Sequence, residues 1–249
     1  MADGFVHPNI LDVKLGSRLW ADDAPEAKRA KLERDSKSST SGNLGFRIAG
    51  MKVWRGTTAG KSGTSELQSP TEGDWEDRDG YRCYNKFYGR KLTDQNVKSG
   101  FEEFLTGLSK PELRRLLAAR LAKEMRCIQL VLEREESRMY SSSALIVYEG
   151  DEEAFEKALE EEKVREQDRE KDTGFEEADF SDDGLEGEIE LNGNDIDESE
   201  DEEESFPKVN DVRLIDFAHA TWTPGQGPDE NMLQGVRIVA GILEDLAIA

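Results

Sequence analysis

Apolar and polar residues alternate along several short segments of the chain, and a period of two predicts β-strands. In the segment 9–16, one strand face carries Ile10, Asp12 and Lys14, while the other carries only aliphatic residues. Three further segments have strand character: 44–55, 142–150 and 211–217. We expect the last two to pair as an antiparallel hairpin.

Apolar residues spaced three to four positions apart indicate helices elsewhere in the chain. Four segments are predicted to be helical: 25–37, 92–107, 109–138 and 229–249. Thr93 or Asp94 is the expected N-cap of the second of these. Residues 38–42 are predicted to form a turn and 56–80 a loop. Together these elements predict an α+β fold in which helices pack on an antiparallel sheet.

Charge is distributed unevenly along the chain. The 249 residues include 55 acidic and 33 basic ones, which gives a formal net charge of −22 and argues against direct binding of nucleic acid or anionic membranes. Nearly half of the acidic residues, 27 of the 55, are concentrated in 151–205, where large apolar residues are too few to offset the entropy of ordering. We therefore predict an acidic insertion over 151–205, helical in its first part and disordered beyond, between the segments 1–150 and 206–249.

Features that report on cellular compartment are few. Cys83 and Cys127 share no motif, which favours a reducing compartment over a disulfide framework. The sequence shows no signal-peptide pattern and no apolar run of about 20 residues, the length needed to span a bilayer. We expect a soluble protein of the nucleus and cytoplasm.

Asp12 and Lys14 form the first candidate for chemistry. They share a strand face, so an acid and a base two residues apart can serve a sugar hydroxyl and a phosphate together. The same pair is also typical of a surface ion pair on an edge strand, and the three letters DVK alone do not choose between these interpretations.

Asp216 is the second candidate, because it leaves an apolar strand just before Phe217. A carboxylate in this position can hold magnesium against nucleotide phosphates, and it can equally begin an ordinary turn. His219 follows three residues later, where it could contact an anionic substrate or remain solvated.

A basic stripe on the predicted helix 25–37 is the third candidate. A ligand with several phosphates needs several Lys or Arg donors on one rigid element. Five residues supply them: Lys28, Arg29, Lys31, Arg34 and Lys37. A solvated helix face and a nuclear-localisation signal are the alternative interpretations of this stripe.

Taken together, these segments resemble the inositol polyphosphate kinase family, and within it the multikinase type. PNILDVKLG (8–16) fits the family pattern PxxxDxKxG, SSAL (142–145) resembles its SSLL element, and IDFAH (215–219) resembles its metal-binding segment. TSGNLGFRIAGMKVW (40–54) and FYGRKL (87–92) look like further family segments in the right order.

The resemblance implies transfer of the γ-phosphoryl group of ATP to a hydroxyl of inositol tris- and tetrakisphosphates, with Mg²⁺ as the metal. Asp216 would bind the metal, and Lys14 would contact the transferred phosphoryl or the substrate phosphates. Asp12 would hold the ribose or orient the attacking hydroxyl; the two remain open. The remaining implied roles are substrate binding by Lys28, Arg29, Lys31 and His219, and support of the site by Ser142 and Ser143.

The resemblance also implies a kinase-like C-terminal catalytic lobe, formed by 1–150 and completed by 206–249. Family members carry an N-terminal lobe before the first motif, which here begins eight residues from Met1. We therefore expect weak or absent activity from this chain alone. Two alternatives remain: an inositol hexakisphosphate kinase, and a non-catalytic nuclear scaffold that binds protein partners through its acidic tract.

Overall fold

The computed structural model describes residues 4–56, 73–172 and 207–249, without the side chains of 169–172. Their strands form an antiparallel sheet of six, in the order β3-β4-β2-β1-β6-β7, and a sheet of two, β5-β8. The bounds are β1 Pro8–Leu15, β2 Phe46–Trp54, β3 Trp75–Arg78, β4 Tyr81–Tyr84, β5 Ser137–Met139, β6 Ser143–Glu149, β7 Asn210–Ile215 and β8 Ala220–Trp222.

Seven helices accompany the sheets in this part of the chain. They are α1 Glu26–Lys37, α2 Thr40–Leu44, α3 Lys86–Lys91, α4 Val97–Leu105, α5 Pro111–Arg134, α6 Glu152–Asp172 and α7 Glu230–Ala247. A single 3₁₀ turn, Phe217–His219, links β7 to β8. The predicted α+β fold, an antiparallel sheet with packed helices, is confirmed.

The hydrophobic core lies on one face of the large sheet. Leu11, Val13 and Leu15 of β1 are at most 1% exposed, as the alternating pattern predicts. They join one core cluster with apolar residues of α4, α5 and α7, including Phe101, Leu117, Leu121, Val236 and Val239. Each such side chain stabilises the fold by about 1.5–3 kcal/mol when fully buried. The core therefore fixes which residues of β1 point to the opposite face.

The opposite face of the large sheet is polar at its centre. Register places Lys14 of β1 directly opposite Arg47 of β2, and Asp12 opposite Gly50. Residues directly opposite in an antiparallel pair point to the same face. We call this side, which carries Asp12, Lys14 and Arg47, the polar face.

The predicted hairpin between the third and fourth strands is confirmed, because β6 pairs antiparallel with β7 over Ser143–Tyr148. The inserted segment between them begins as helix α6, as predicted, and buries Phe155, Ala158 and Leu159 in the core. This part of 151–205 is thus packed structure. The predicted disorder of the remainder, 173–205, lies outside the described residues.

Several local predictions were wrong. The predicted turn 38–42 contains the start of α2, whose Thr40 hydroxyl donates to the carbonyl of Phe46 at 2.8 Å. The predicted loop 56–80 includes β3, which is held by its pairing with β4; 57–72 lie outside the described residues.

Helix ends also differ from the prediction. Helix α4 begins after Asn96 rather than Thr93 or Asp94, because the Asn96 side chain accepts from the backbone N–H of Thr93 and closes a turn there. Helix α5 ends at Arg134 instead of continuing to 138, and the chain extends into β5. No helix in the described ranges is both long and apolar enough to cross a membrane.

Candidate active site

Asp12 lies at the centre of the polar face. Its cross-strand neighbours are Gly50 on β2 and Leu145 on β6, and neither side chain can donate a hydrogen bond. The Asp12 Oδ1 atom is buried and has no hydrogen-bond partner among the described residues. A buried carboxylate oxygen is rarely left unpaired, so this atom is suited to receive a donor from a ligand.

Lys14 is held by the backbone rather than by a carboxylate. Its Nζ donates to the carbonyl oxygen of Ser141 at 2.6 Å. Ser141 adopts a left-handed conformation with φ 60°, and its hydroxyl donates to the carbonyl of Leu19 at 2.8 Å. The Lys14 side chain is only 18% exposed, so the ammonium group is directed by fixed contacts.

Asp216 meets Lys14 because β6 lies between their strands. Ser143 of β6 pairs with Lys14 on one side and with Ile215, which precedes Asp216, on the other. The Oδ2 atom of Asp216 lies 3.7 Å from the Lys14 Nζ, and this carboxylate is 61% exposed. The structure thus brings together the two predicted motifs that contain Lys14 and Asp216.

The backbone at Asp216 is itself unusual. Its φ of 68° is left-handed, a conformation that Asp and Asn adopt more readily than other non-glycine residues. The Ser142 hydroxyl donates to the Asp216 carbonyl oxygen at 3.2 Å. The neighbouring Ser143 is fully buried, and its Oγ has no partner in the described part of the chain. Ser142 therefore supports the turn that presents the Asp216 carboxylate.

His219 ends the 3₁₀ turn and is exposed. Its carbonyl oxygen accepts from the Tyr140 backbone N–H at 3.3 Å, which ties the turn to β5. The following β8 pairs with β5 over Ala220–Trp222. The small sheet thus fixes the segment behind Asp216, while the imidazole remains accessible to a ligand.

The cationic residues predicted on 25–37 divide into two groups in α1. Lys28 and Lys31 are exposed and form no ion pair with the residues that the structure describes. Arg29 is half-buried and its Nε donates to the Ala24 carbonyl at 2.7 Å, while Lys37 pairs with Glu33 at 2.6 Å. Two of the three predicted substrate-binding cations on this helix are therefore free for a ligand, and the third partly caps the preceding turn.

The turn between β1 and α1 is held by one side chain of α7. Asn231 Oδ1 accepts from the backbone N–H groups of Ser17 and Arg18 at 2.9 and 2.8 Å. Its Nδ2 donates to the Arg18 carbonyl oxygen at 3.0 Å. Gly16 precedes this turn at φ +92°, and a Cβ there would lie 2.6 Å from the Asn231 amide nitrogen. Asn231 therefore sets the path by which the chain leaves Lys14 for α1.

Sequence reasoning missed three charged residues at this site. Arg47 shares the polar face with Lys14, and Arg90 of α3 pairs with Asp35 of α1 at 3.1 Å. Arg47 stands between the buried residues Phe46 and Ile48, so strand alternation turns it to the polar face, but only the register of β2 against β1 brings it beside Lys14.

The donors at this site fit a divalent cation held partly by substrate. Among the residues that the structure describes, no three His, Cys, Asp or Glu side chains cluster as a metal site. Mg²⁺ is typically bound by one or two carboxylates together with substrate phosphates and water. The exposed carboxylate of Asp216 satisfies that requirement.

Comparison with known proteins agrees with this geometry. The family described as inositol polyphosphate kinase matches residues 1–244. Inositol polyphosphate multikinase of Saccharomyces cerevisiae is 34% identical over 245 residues, covering 96% of this chain and 64% of that protein. Inositol hexakisphosphate kinase 1 of Homo sapiens is 32% identical over 255 residues, covering 97% of this chain and 50% of that protein.

A solved structure of an inositol phosphate multikinase also matches this chain. The crystal structure of the S. cerevisiae inositol phosphate multikinase in complex with ADP and Mn²⁺ aligns with a TM-score of 0.69 and 31% identity, over 98% of this chain and 80% of that one. The chain spans 64% and 50% of the lengths of the two curated relatives. The family match over residues 1–244 confirms the predicted resemblance: this chain belongs to the inositol polyphosphate kinase family.

Proposed function

We propose that this protein transfers the γ-phosphoryl group of ATP to a hydroxyl of an inositol phosphate, as an inositol polyphosphate multikinase. The observation that carries the proposal is the 3.7 Å approach of Lys14 to Asp216 on a sheet face that also presents an unpaired Asp12 oxygen. Phosphoryl transfer needs chiefly positioning and charge neutralisation, and these groups can supply both.

Each residue has a specific proposed task. Asp216 would hold a divalent cation, which in this chemistry neutralises charge on the nucleotide phosphates. Lys14, fixed by the Ser141 carbonyl, would donate to the transferred phosphoryl or to a substrate phosphate. Asp12 would accept a hydrogen bond through Oδ1, either from the ribose or from the acceptor hydroxyl.

The acceptor would bind on the side of α1. Lys28 and Lys31 are exposed and unpaired in the described part of the chain, so they can attract inositol phosphates without breaking an ion pair. Arg29 and His219 would make further contacts to the substrate. We propose inositol tris- and tetrakisphosphates as acceptors, with Mg²⁺ as the physiological cation.

A second candidate is an inositol hexakisphosphate kinase. It is favoured by the 32% identity with the human hexakisphosphate kinase over 97% of this chain. A scaffold role through the acidic tract, of which 173–205 lie outside the described ranges, stays a prediction, as does localisation to nucleus and cytoplasm.

The decisive experiment is a substrate panel. The purified chain would be incubated with Mg²⁺ and labelled ATP against inositol tris-, tetrakis- and hexakisphosphate, and binding of each would be measured by calorimetry. Binding and phosphorylation of the lower phosphates support the multikinase, and selectivity for hexakisphosphate supports the second candidate. Turnover of this chain also tests the sequence-based prediction of weak activity. Binding of none of the three would refute the proposed function.

A further inference from the structure

The guanidinium of Arg47, on the polar face, has N–H donors that lack a partner among the described residues. Register places it directly opposite Lys14 in the β1–β2 pair. Its guanidinium donates to the Ser41 hydroxyl at 2.9 Å, and the described residues provide no other hydrogen bond or ion pair for it. Arginine carries five N–H donors, so most of this group is free to bind something else.

The surroundings of Arg47 favour an anion. Burial first, and the positive charge of Arg90 second, lower the pKa of the Arg47 guanidinium, while Asp35 and Asp12 act in the opposite direction. Arginine nevertheless stays protonated, since its ordinary pKa is far above neutral. Burial and Arg90 outweigh Asp35 and Asp12 in this balance, so the charged guanidinium is only partly compensated within the chain and would be stabilised by a further anion.

The cationic stripe of α1 runs towards the same place. Lys28, Lys31 and Asp35 are spaced by three and four residues, so they share one face of the helix. Asp35 forms a 3.1 Å ion pair with Arg90, so this face of α1 lies against Arg90. A rise of 1.5 Å per residue puts the Lys31 backbone about 6 Å along the axis from Asp35. The charges of Arg90 and Asp35 both act on the Arg47 guanidinium, which lies opposite Lys14, so Arg47 is close both to Lys14 and to this end of the stripe.

We propose that Arg47 binds a phosphate group of a ligand seated beside Lys14, with Ser41 orienting the guanidinium. The inference rests on the proposed function, because it requires a phosphorylated ligand at this site. Arginine can bind a phosphate through two parallel N–H donors, whereas lysine binds it as a point charge. The phosphate comes either from the inositol phosphate or from the nucleotide. The contact of Arg47 with Ser41 of α2, and the effect of the Asp35 charge of α1 on it, favour the inositol phosphate, whose proposed contacts are on α1.

The test is calorimetric titration of the chain and its variants with inositol trisphosphate, inositol hexakisphosphate and Mg²⁺–ATP at constant ionic strength. We expect Arg47→Gln to lose about 10-fold to 100-fold in affinity for the ligand whose phosphate it binds. A loss confined to the inositol phosphates identifies the acceptor as the source, and a loss confined to ATP identifies the nucleotide. Arg47→Lys keeps the charge without the two parallel donors, so its loss should be intermediate.

Arg126→Gln is the matched control. Arg126 lies on α5, and its guanidinium pairs with Glu244 of α7 at 2.7 Å. Arg126→Gln therefore removes one positive charge from a helix rather than from the polar face of the sheet. Unchanged affinity in Arg47→Gln, or an equal loss in Arg126→Gln, would overturn the inference while leaving the proposed function intact. If Arg47→Gln does not fold, wild-type affinity in Arg47→Lys would overturn it instead. Absence of all binding by the wild-type chain would overturn both.

Discussion

The ammonium group of Lys14 and the carboxylate of Asp216 lie 3.7 Å apart although their strands are not neighbours. Lys14 takes its position from the Ser141 carbonyl at 2.6 Å, so it does not depend on Asp216 to hold it. The Asp216 carboxylate has no other ion pair among the described residues and is 61% exposed. At 3.7 Å, and with the carboxylate largely solvated, this ion pair contributes little to stability, about 1 kcal/mol at most. Under the proposed function, the two groups are arranged to bind a shared ligand.

Asp216→Asn should weaken metal-dependent nucleotide binding without unfolding the protein. The amide removes the negative charge that attracts a hard cation, and Asn tolerates the φ of 68° at this position. We expect the affinity for ADP to fall about 10-fold in the presence of Mn²⁺ and to remain unchanged with a chelator. Calorimetry with and without the metal measures both. Equal affinity of variant and wild type in Mn²⁺ would remove Asp216 from the metal site.

Local sequence patterns were sufficient to predict much of the site. The period of two along β1 fixes which face Asp12 and Lys14 share, because Leu11, Val13 and Leu15 must be buried. The β6–β7 pairing then follows from two apolar strands that flank an acidic insertion. That pairing places the end of β7, and with it Asp216, beside Ser143, the residue of β6 that pairs with Lys14.

Other features depend on partners that are distant in sequence. Arg47 could be recognised only from the register of β2 against β1, and Asn231 only from its contacts with the turn at Ser17. Helix α2 has the composition of a turn, TSGNL, but its Gln234 contact from α7 and its own hydrogen bond to Phe46 hold it as a helix. Contacts between residues that are distant in sequence leave no periodic pattern in a single sequence, so they could not be predicted from it.

Gly235→Ala should destabilise the protein, because α7 crosses the chain closely at this residue. A Cβ on Gly235 would lie 2.1 Å from the carbonyl oxygen of Gly45, which itself accepts from the Gly16 N–H at 2.7 Å. Backbone atoms on both sides must shift, so we expect a loss of about 1–3 kcal/mol in the free energy of unfolding. Urea denaturation measures it.

Gly241→Ala in the same helix is the control for this prediction. Nothing lies within 4 Å of a Cβ built on Gly241. Alanine there should instead stabilise the protein by about 0.5–1 kcal/mol, since glycine is a poor helix residue. Equal effects of the two substitutions would contradict the close approach of α7 to Gly45.

Asn231→Ala should loosen the turn that joins β1 to α1. It removes the acceptor for the N–H groups of Ser17 and Arg18 together with the donor to the Arg18 carbonyl. We expect a loss of about 2 kcal/mol in stability, because water replaces only part of these hydrogen bonds. Binding of inositol phosphates should weaken as well, since this turn leads directly into α1.

Asn231→Asp separates the two functions of this side chain. It keeps the oxygen that accepts from the two N–H groups and loses the donor, so its stability should fall between that of the wild type and Asn231→Ala. Chemical denaturation and calorimetry on the same samples test both effects. A stable Asn231→Ala variant with unaltered ligand affinity would show that other contacts position the turn.

High pH should destabilise the protein through its buried tyrosines. Burial, followed by the charges of Glu149 and Cys83, raises the pKa of Tyr81 to about 12. Burial also raises the pKa of Tyr84, Tyr88 and Tyr148. In the unfolded chain these phenols lose their protons near pH 10, whereas in the folded protein they retain them. The unfolded state thus binds fewer protons above that pH, and the free energy of unfolding must fall as pH rises.

Urea denaturation at about pH 9 and about pH 11 should therefore give a lower midpoint at the higher pH. Tyr148→Phe is the informative variant, because the Tyr148 hydroxyl is fully buried and donates to the Phe104 carbonyl at 2.6 Å. Loss of this hydrogen bond lowers stability at neutral pH, but the variant has one phenol fewer to ionise on unfolding. The free energy of unfolding of Tyr148→Phe should consequently fall less steeply with rising pH than that of the wild type. The two slopes should differ by up to about 1.4 kcal/mol per pH unit. Identical slopes would mean that Tyr148 ionises as readily in the folded protein as in the unfolded chain.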